Sequence, residues 1–244
     1  MLRLRQIAVA AVDLAAAEQE LVEALGVALC FRDPGVAVFG LHNGLFPVGD
    51  QLFEIVSPTT DGTTAGRLLE RRGGDCGYMA IFQTDDLDGV ERRAAEQGTR
   101  IVFEAATDGI RGLHFHPKDL PGAIVSVDQS DVWDDWPWAG HDWRDQRTDS
   151  AVAITALTVA VDDPAAAALT WARLLGDDAD TQAVEHGTDL QVTGSTVRFR
   201  PIADGREGIV ALDVTSTSTR AGTATGVAER VVTVCGVEIH VRPI

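Results

Sequence analysis

At 244 residues, with 45% hydrophobic and 23% charged residues, the chain is ordinary for a globular protein and long enough for one large or two small domains, each with a core. A net charge of −17, from 37 acidic and 20 basic residues, would repel a phosphate backbone, and the densest basic spots, Arg71-Arg72 and Arg92-Arg93, are isolated pairs, so nucleic acid is not an expected partner. Three scattered cysteines without a CxxC spacing fit a reduced, cytoplasmic setting; no apolar run approaches the ~18 residues that span a bilayer, and the N-terminus has no signal-peptide pattern, so no membrane partner is expected.

In chain order, residues 4–12 read as a strand. Asp13 is the N-cap of an Ala-rich helix over 14–25 that Gly26 ends. Short strands are expected over 36–41, 45–48 and 52–56, punctuated by Asn43-Gly44 and Gly49-Asp50, which completes one βαβββ unit. The order then repeats, with a strand over 78–84, a helix capped by Asp85 or Asp86 and stopped by Gly98, and strands over 100–104, 112–116 and 123–128. A third copy has a strand over 153–161, a helix over 164–175 with Asp163 as cap and Pro164 at its first position, and strands over 190–192 and 196–200. A fourth has strands over 208–214, 230–234 and 237–241, but its helix region, 215–225, is rich in Ser, Thr and Gly and reads as a loop.

Between the second and third copies, residues 131–143 hold four of the five tryptophans among acidic, Gly and Pro residues. Such a segment reads as a linker stapled to a domain edge by buried indoles, or as an aromatic pocket wall. The expected domains are therefore 1–130 (modules one and two), a Trp-rich linker at 131–150, and 151–244 (modules three and four).

Two stretches carry a resemblance. Residues 44–58 and 112–128 each read as a strand pair joined by a tight turn; Phe46-Pro-Val-Gly-Asp-Gln-Leu-Phe-Glu54 stands before Ser57-Pro58, and His116-Pro-Lys-Asp119 before an apolar strand. With the helix-like run 65–74 and the strand-to-helix junction 82–87, the first half of the chain resembles the methylmalonyl-coenzyme A epimerase-like members of the vicinal oxygen chelate superfamily, which also contains glyoxalases, extradiol dioxygenases and bleomycin-resistance proteins. The resemblance implies an α+β fold of tandem βαβββ modules forming two cupped sheets of the vicinal oxygen chelate type, eight strands to a cup. It also places the family's metal-ligand positions on Gln6, Glu54, Met79 and Ser126, with Tyr78 replacing Met79 if the register slips by one. Of these only Glu54 is a good ligand, because Met79 is a soft thioether and Ser126 a neutral hydroxyl. Modules three and four put Ala156, Val197, Gly208 and His240 at the approximate positions, so neither a metal nor another cofactor is expected.

Residue by residue, Glu54 alternates with apolar neighbours and would point into the first cup, where an unpaired carboxylate has its pKa raised and can act as an acid or base; otherwise Gln6 or a backbone donor satisfies it. His114 and His116 project from one strand face and are candidates for proton transfer or anion binding, with Arg111 nearby; His114 is favoured, since His116 precedes Pro117 at a turn. His42 would line the cup rim, and turn chemistry accounts for Asn43. The expected catalytic residues are Glu54 and His114, and the expected substrate-binding residues are Gln6, His42, Met79, Arg111, His116 and Ser126.

The expected function is to bind a small organic molecule and carry out metal-independent acid-base chemistry beside a carbonyl, of isomerase or lyase type. The alternatives are non-catalytic sequestration, as in bleomycin-resistance proteins, and a metal-dependent epimerase. A small-molecule ligand is the partner expected, and a homodimer stays open.

Overall fold

The computed structural model describes residues 1–176, 179–203, 205–217 and 229–244. The first half contains β1 (Leu2–Ala10), α1 (Leu14–Leu25), β2 (Leu41–Val48), β3 (Gln51–Pro58), α2 (Thr64–Arg72), β4 (Cys76–Thr84), α3 (Leu87–Gln97), β5 (Ile101–Thr107), β6 (Ile110–Phe115) and β7 (Ile124–Ser130). The second half contains β8 (Ala151–Val161), α4 (Pro164–Leu175), β9 (Asp180–Val184), β10 (Gly187–Val192), β11 (Ser195–Pro201), β12 (Gly208–Ser216), β13 (Arg230–Val234) and β14 (Val237–Pro243).

These strands form two sheets, in the orders β2-β3-β1-β4-β7-β6-β5 and β13-β14-β12-β8-β11-β10-β9. In each, two first strands of modules pair antiparallel at the centre (β1 with β4, β8 with β12), and the last strand of each module adds parallel beside its own first strand. The duplicated architecture follows from this pattern, but each sheet has seven described strands rather than eight.

The missing strand of module one has a local cause. Residues 36–41 do not form the expected strand, because Pro34 lacks an N–H and Asp33 caps the Gly35 N–H at 2.7 Å, which starts a 3-10 helix, Pro34–Phe39, that Gly40 ends at φ 68°. Only a single bridge, Phe31 opposite Leu45, remains on that edge. The loop expected over 215–225 begins in β12, and from residue 218 it lies outside the described residues. β9 has no counterpart among the strands expected from the sequence. The strands of the 112–128 pair are joined by residues 116–123 rather than by a tight turn.

Asp13, Asp86 and Asp163 cap their helices as N-cap residues, each accepting from a backbone N–H three residues on. The helix-bearing faces of both sheets share one apolar cluster, in which Trp171 of α4 meets Phe82 and Phe199 edge-on at 6.1 and 5.1 Å. The halves also meet at the β2–β3 turn: a Cβ on Gly49 (φ 61°) would stand 1.8 Å from the Val152 carbonyl oxygen, and the Gln51 amide exchanges two hydrogen bonds with the Ile154 backbone at 2.8 and 3.0 Å. The opposite, concave faces lie outside this shared cluster, and that of the first sheet forms a cluster of its own.

Candidate functional site in the first cup

Residues alternating along β1, β3 and β4 direct Ala8, Leu52, Val56, Met79 and Ile81 to the concave face of the first sheet, where they form a second apolar cluster. The same chain covers this face. Leu69 of α2 and Trp136 and Trp143 from the segment after β7 belong to that cluster, and both indoles are at most 1% exposed. Arg5, itself fully buried, lies 5.3 Å and 5.1 Å from the centres of these two rings, while Arg3 and Gln83 donate to the Trp133 carbonyl at 2.7 and 2.6 Å. Burying roughly 150–250 Å² per indole contributes up to ~4–6 kcal/mol each. Lifting two would cost about as much as a whole domain's stability, ~5–15 kcal/mol, so the strap is a fixed wall of the cup rather than a swinging lid.

Glu54 sits under that wall. Its carboxylate is 6% exposed and accepts from the Asn43 side chain at 2.6 Å and from the Gln6 side chain at 2.8 Å; the Gln6 oxygen in turn accepts from the Trp136 indole N–H at 2.9 Å. Burial raises the carboxyl pKa, and the two amide donors oppose the rise. Asn43, which turn chemistry was expected to explain, lies within β2; its other side-chain atom accepts from the Asp33 N–H at 2.9 Å.

A second buried carboxyl, Asp128, lies two residues beyond Ser126 on the same face. It accepts from the Ser126 hydroxyl and from the Trp138 indole N–H at 2.8 Å, and burial pushes its pKa up to about 7. Gly112 makes room for it, since a Cβ there would stand 2.6 Å from the carboxylate. The alternation Ser126-Val-Asp128 carried this signal in the sequence.

The other expected residues scatter. His114 pairs across from Ser126 on the concave side, stacks on Phe39 at 6.0 Å and meets Phe103 at 5.4 Å; burial lowers its pKa to about 4, which keeps it neutral. Arg111 points to the other face, ion-paired with Glu104 and Glu91 at 2.8 Å and with Asp88 at 3.3 Å. His116 accepts from the Lys118 N–H at the turn, at 3.1 Å. His42 is exposed and lines an open cavity of about 930 Å³ between the start of α1 and the 3-10 helix, where Arg32 is engaged by Glu18 at 2.7 Å. A smaller cavity, about 240 Å³, opens at the cup mouth between Phe39, the start of α2 and Tyr78.

The ligand positions implied by the resemblance do not fit a divalent ion. Glu54 and Gln6 are bonded to each other, Ser126 is committed to Asp128, and Met79 packs in the apolar cluster. Among the described residues no group of three or more His, Cys, Asp or Glu side chains is placed to hold a metal.

The second sheet's concave face differs in kind. It presents Asp213, 5% exposed, to Arg198 at 2.9 Å and Arg242 at 3.5 Å, and Asp189 to Arg200 at 2.8 Å. Val197 points into the core, and His240 lies half-exposed 3.9 Å from Glu238.

Comparison with known proteins agrees with this architecture. A hypothetical protein from Staphylococcus aureus shares the whole fold at 12% identity, with all of both chains covered and a TM-score of 0.74. Methylmalonyl-CoA epimerases are similar over about half of the chain: a Streptomyces coelicolor variant in complex with 2-nitronate-propionyl-CoA (19% identity, 53% of this chain and 98% of that one, TM-score 0.48) and the Mycobacterium tuberculosis enzyme (23%, 52% and 87%, 0.47). No curated protein matches the chain. The model of a glyoxalase-like domain matches residues 7–175, more than half of the sequence, and the chain belongs to that family.

Proposed function

We propose that the protein binds a small organic molecule at the mouth of the first cup and moves a proton next to a carbonyl, with Glu54 as the acid-base group and without a bound metal. Residues 1–130 form the working domain in this reading, 131–150 the strap that walls it, and 151–244 a diverged copy. One observation carries the reading: a carboxylate buried on the concave face, its pKa raised by burial, stands where the family resemblance puts a metal ligand, and hydrogen bonds replace the metal around it. Neutral His114, on the module-two side of the same face, is suited to donate to a carbonyl oxygen.

One feature favours non-catalytic binding instead, because both Glu54 oxygens already accept from amides. Thermal-shift screening of small aldehydes, ketones and carboxylic acids against chelator-treated protein tests the proposal. Hits should stabilise the parent and lose most of that effect in Glu54→Gln. Hits that require added metal, or that bind both proteins equally, contradict it.

A further inference from the structure

Tyr78 is the only tyrosine in the chain, and its side chain is one that the acid-base reading leaves unused. It is 8% exposed, lines the cavity of about 240 Å³ at the mouth of the first cup, and its hydroxyl has no hydrogen-bond partner among the described residues. The ring is packed away while the hydroxyl stays accessible from the cavity, so it is free to donate to a molecule held there. Burial and the neighbouring Glu54 carboxylate push the phenol up to about 12, so it stays protonated and is a donor.

The opposite wall of the same cavity is the N-terminus of α2. Gly62, Thr63 and Thr64 line it. Thr63 caps the Gly66 N–H at 2.9 Å and its carbonyl takes the Arg67 N–H, which leaves the N–H groups of Thr64 and Ala65 without intrahelical partners. The first turn of α2 has no acid, as in α1 and α4, and the Arg67 guanidinium folds back over it onto the Gly62 carbonyl and the Thr64 hydroxyl. A cation at the positive end of a helix is unfavourable unless an anion lies between them. Arg67 is also the one charged side chain lining this cavity, in a protein of net charge −17.

We propose that this cavity is a carboxylate subsite, in which the Tyr78 hydroxyl, the α2 N-terminus and Arg67 hold the anionic end of a small organic acid against the apolar wall of Val38, Phe39 and Leu41. At about 30 Å³ per water-sized group, 240 Å³ accommodates on the order of eight non-hydrogen atoms, close to the size of benzoate with its seven carbons and two oxygens. The substrate class thus becomes a small apolar carboxylic acid, which rests on the ligand-binding reading above but not on the acid-base role of Glu54.

Titrations of the full chain with benzoate, benzamide and inorganic phosphate, followed by amide chemical shifts, test this. Benzoate should bind saturably and shift the amides of 62–67, benzamide and phosphate should bind far more weakly, and Tyr78→Phe, which keeps the ring in the core, should weaken benzoate about tenfold or more. Arg67→Gln should weaken it less and reduce its salt dependence, and His240→Ala should leave it unchanged. Benzamide binding as well as benzoate, phosphate binding alone, no benzoate binding, or an unchanged affinity in Tyr78→Phe each overturns the subsite. The two proposals fail separately: benzoate binding as described without any Glu54-dependent proton exchange removes the acid-base role and keeps the subsite. Glu54-dependent exchange in a protein blind to benzoate does the reverse.

Discussion

The two cups are built on the same strand order but use their concave faces in opposite ways. In the first, apolar side chains and three tryptophans enclose two carboxyls, Glu54 and Asp128, that meet only neutral donors: amides, a hydroxyl and an indole. In the second, the face is polar and half-exposed, and its buried carboxylate, Asp213, is shared by two guanidiniums. Burial raises the pKa of a carboxyl whose partners are neutral, whereas a carboxylate between two guanidiniums serves to hold them in place. Duplication supplied two scaffolds, and their coverings made them chemically different.

The largest expected effect breaks the covering of the first cup. Trp136→Ala removes a fully buried indole and strips Gln6 of its donor, and should cost about 3–5 kcal/mol in urea unfolding. A loss under ~1 kcal/mol would mean the strap is not part of the core.

Next comes pH. The native Asp128 carboxyl, raised to about 7, binds its proton more tightly than the unfolded chain does. Its contribution is therefore complete below the ordinary carboxylate range and is lost as pH rises toward and through about 7. Between pH 4.5 and 8 that loss is on the order of 2–4 kcal/mol, and Asp128→Asn should flatten it. A parent and variant with parallel pH profiles would place the Asp128 carboxyl in the ordinary range.

In the second cup, Asp213→Asn leaves Arg198 and Arg242 without their shared anion and should cost about 1–2 kcal/mol, reduced because both guanidiniums reach water. His240→Ala, on the half-exposed side of the same face, should stay within ~0.5 kcal/mol of the parent.

How much of this was legible in the sequence depended on the range of the interactions. Helix caps such as Asp13, Asp86 and Asp163 act over three residues and were readable directly. The repeat order was readable because each module carries its own strand and helix periodicity. Glu54 and its tie to Gln6 were accessible through alternation and the family resemblance. Asn43 was not, since it looked like a turn residue and its partners, Glu54 and Asp33, are fixed only by strand pairing. Arg111 shows the reverse failure: it is three residues from His114, so the two point to opposite faces of one strand, and α3 supplies its partners. The composition of the tryptophan strap predicts that it packs, but does not decide between an edge and the first cup, where the indoles of Trp136 and Trp143 are buried. The lost strand of module one turned on Pro34, whose effect exceeded the β-propensity of Val36 and Val38.

The claim that the first cup alone performs proton chemistry is tested most directly by deuterium incorporation. Small ketones, aldehydes and 2-substituted carboxylic acids are incubated with chelator-treated protein in D₂O, and exchange of the C–H beside the carbonyl is followed by NMR for the parent, Glu54→Gln and His240→Ala. Exchange is expected at the parent rate in His240→Ala and at least a hundredfold lower in Glu54→Gln, the range for removing a general acid-base group. Exchange that survives in Glu54→Gln, or that disappears in His240→Ala, would contradict the claim.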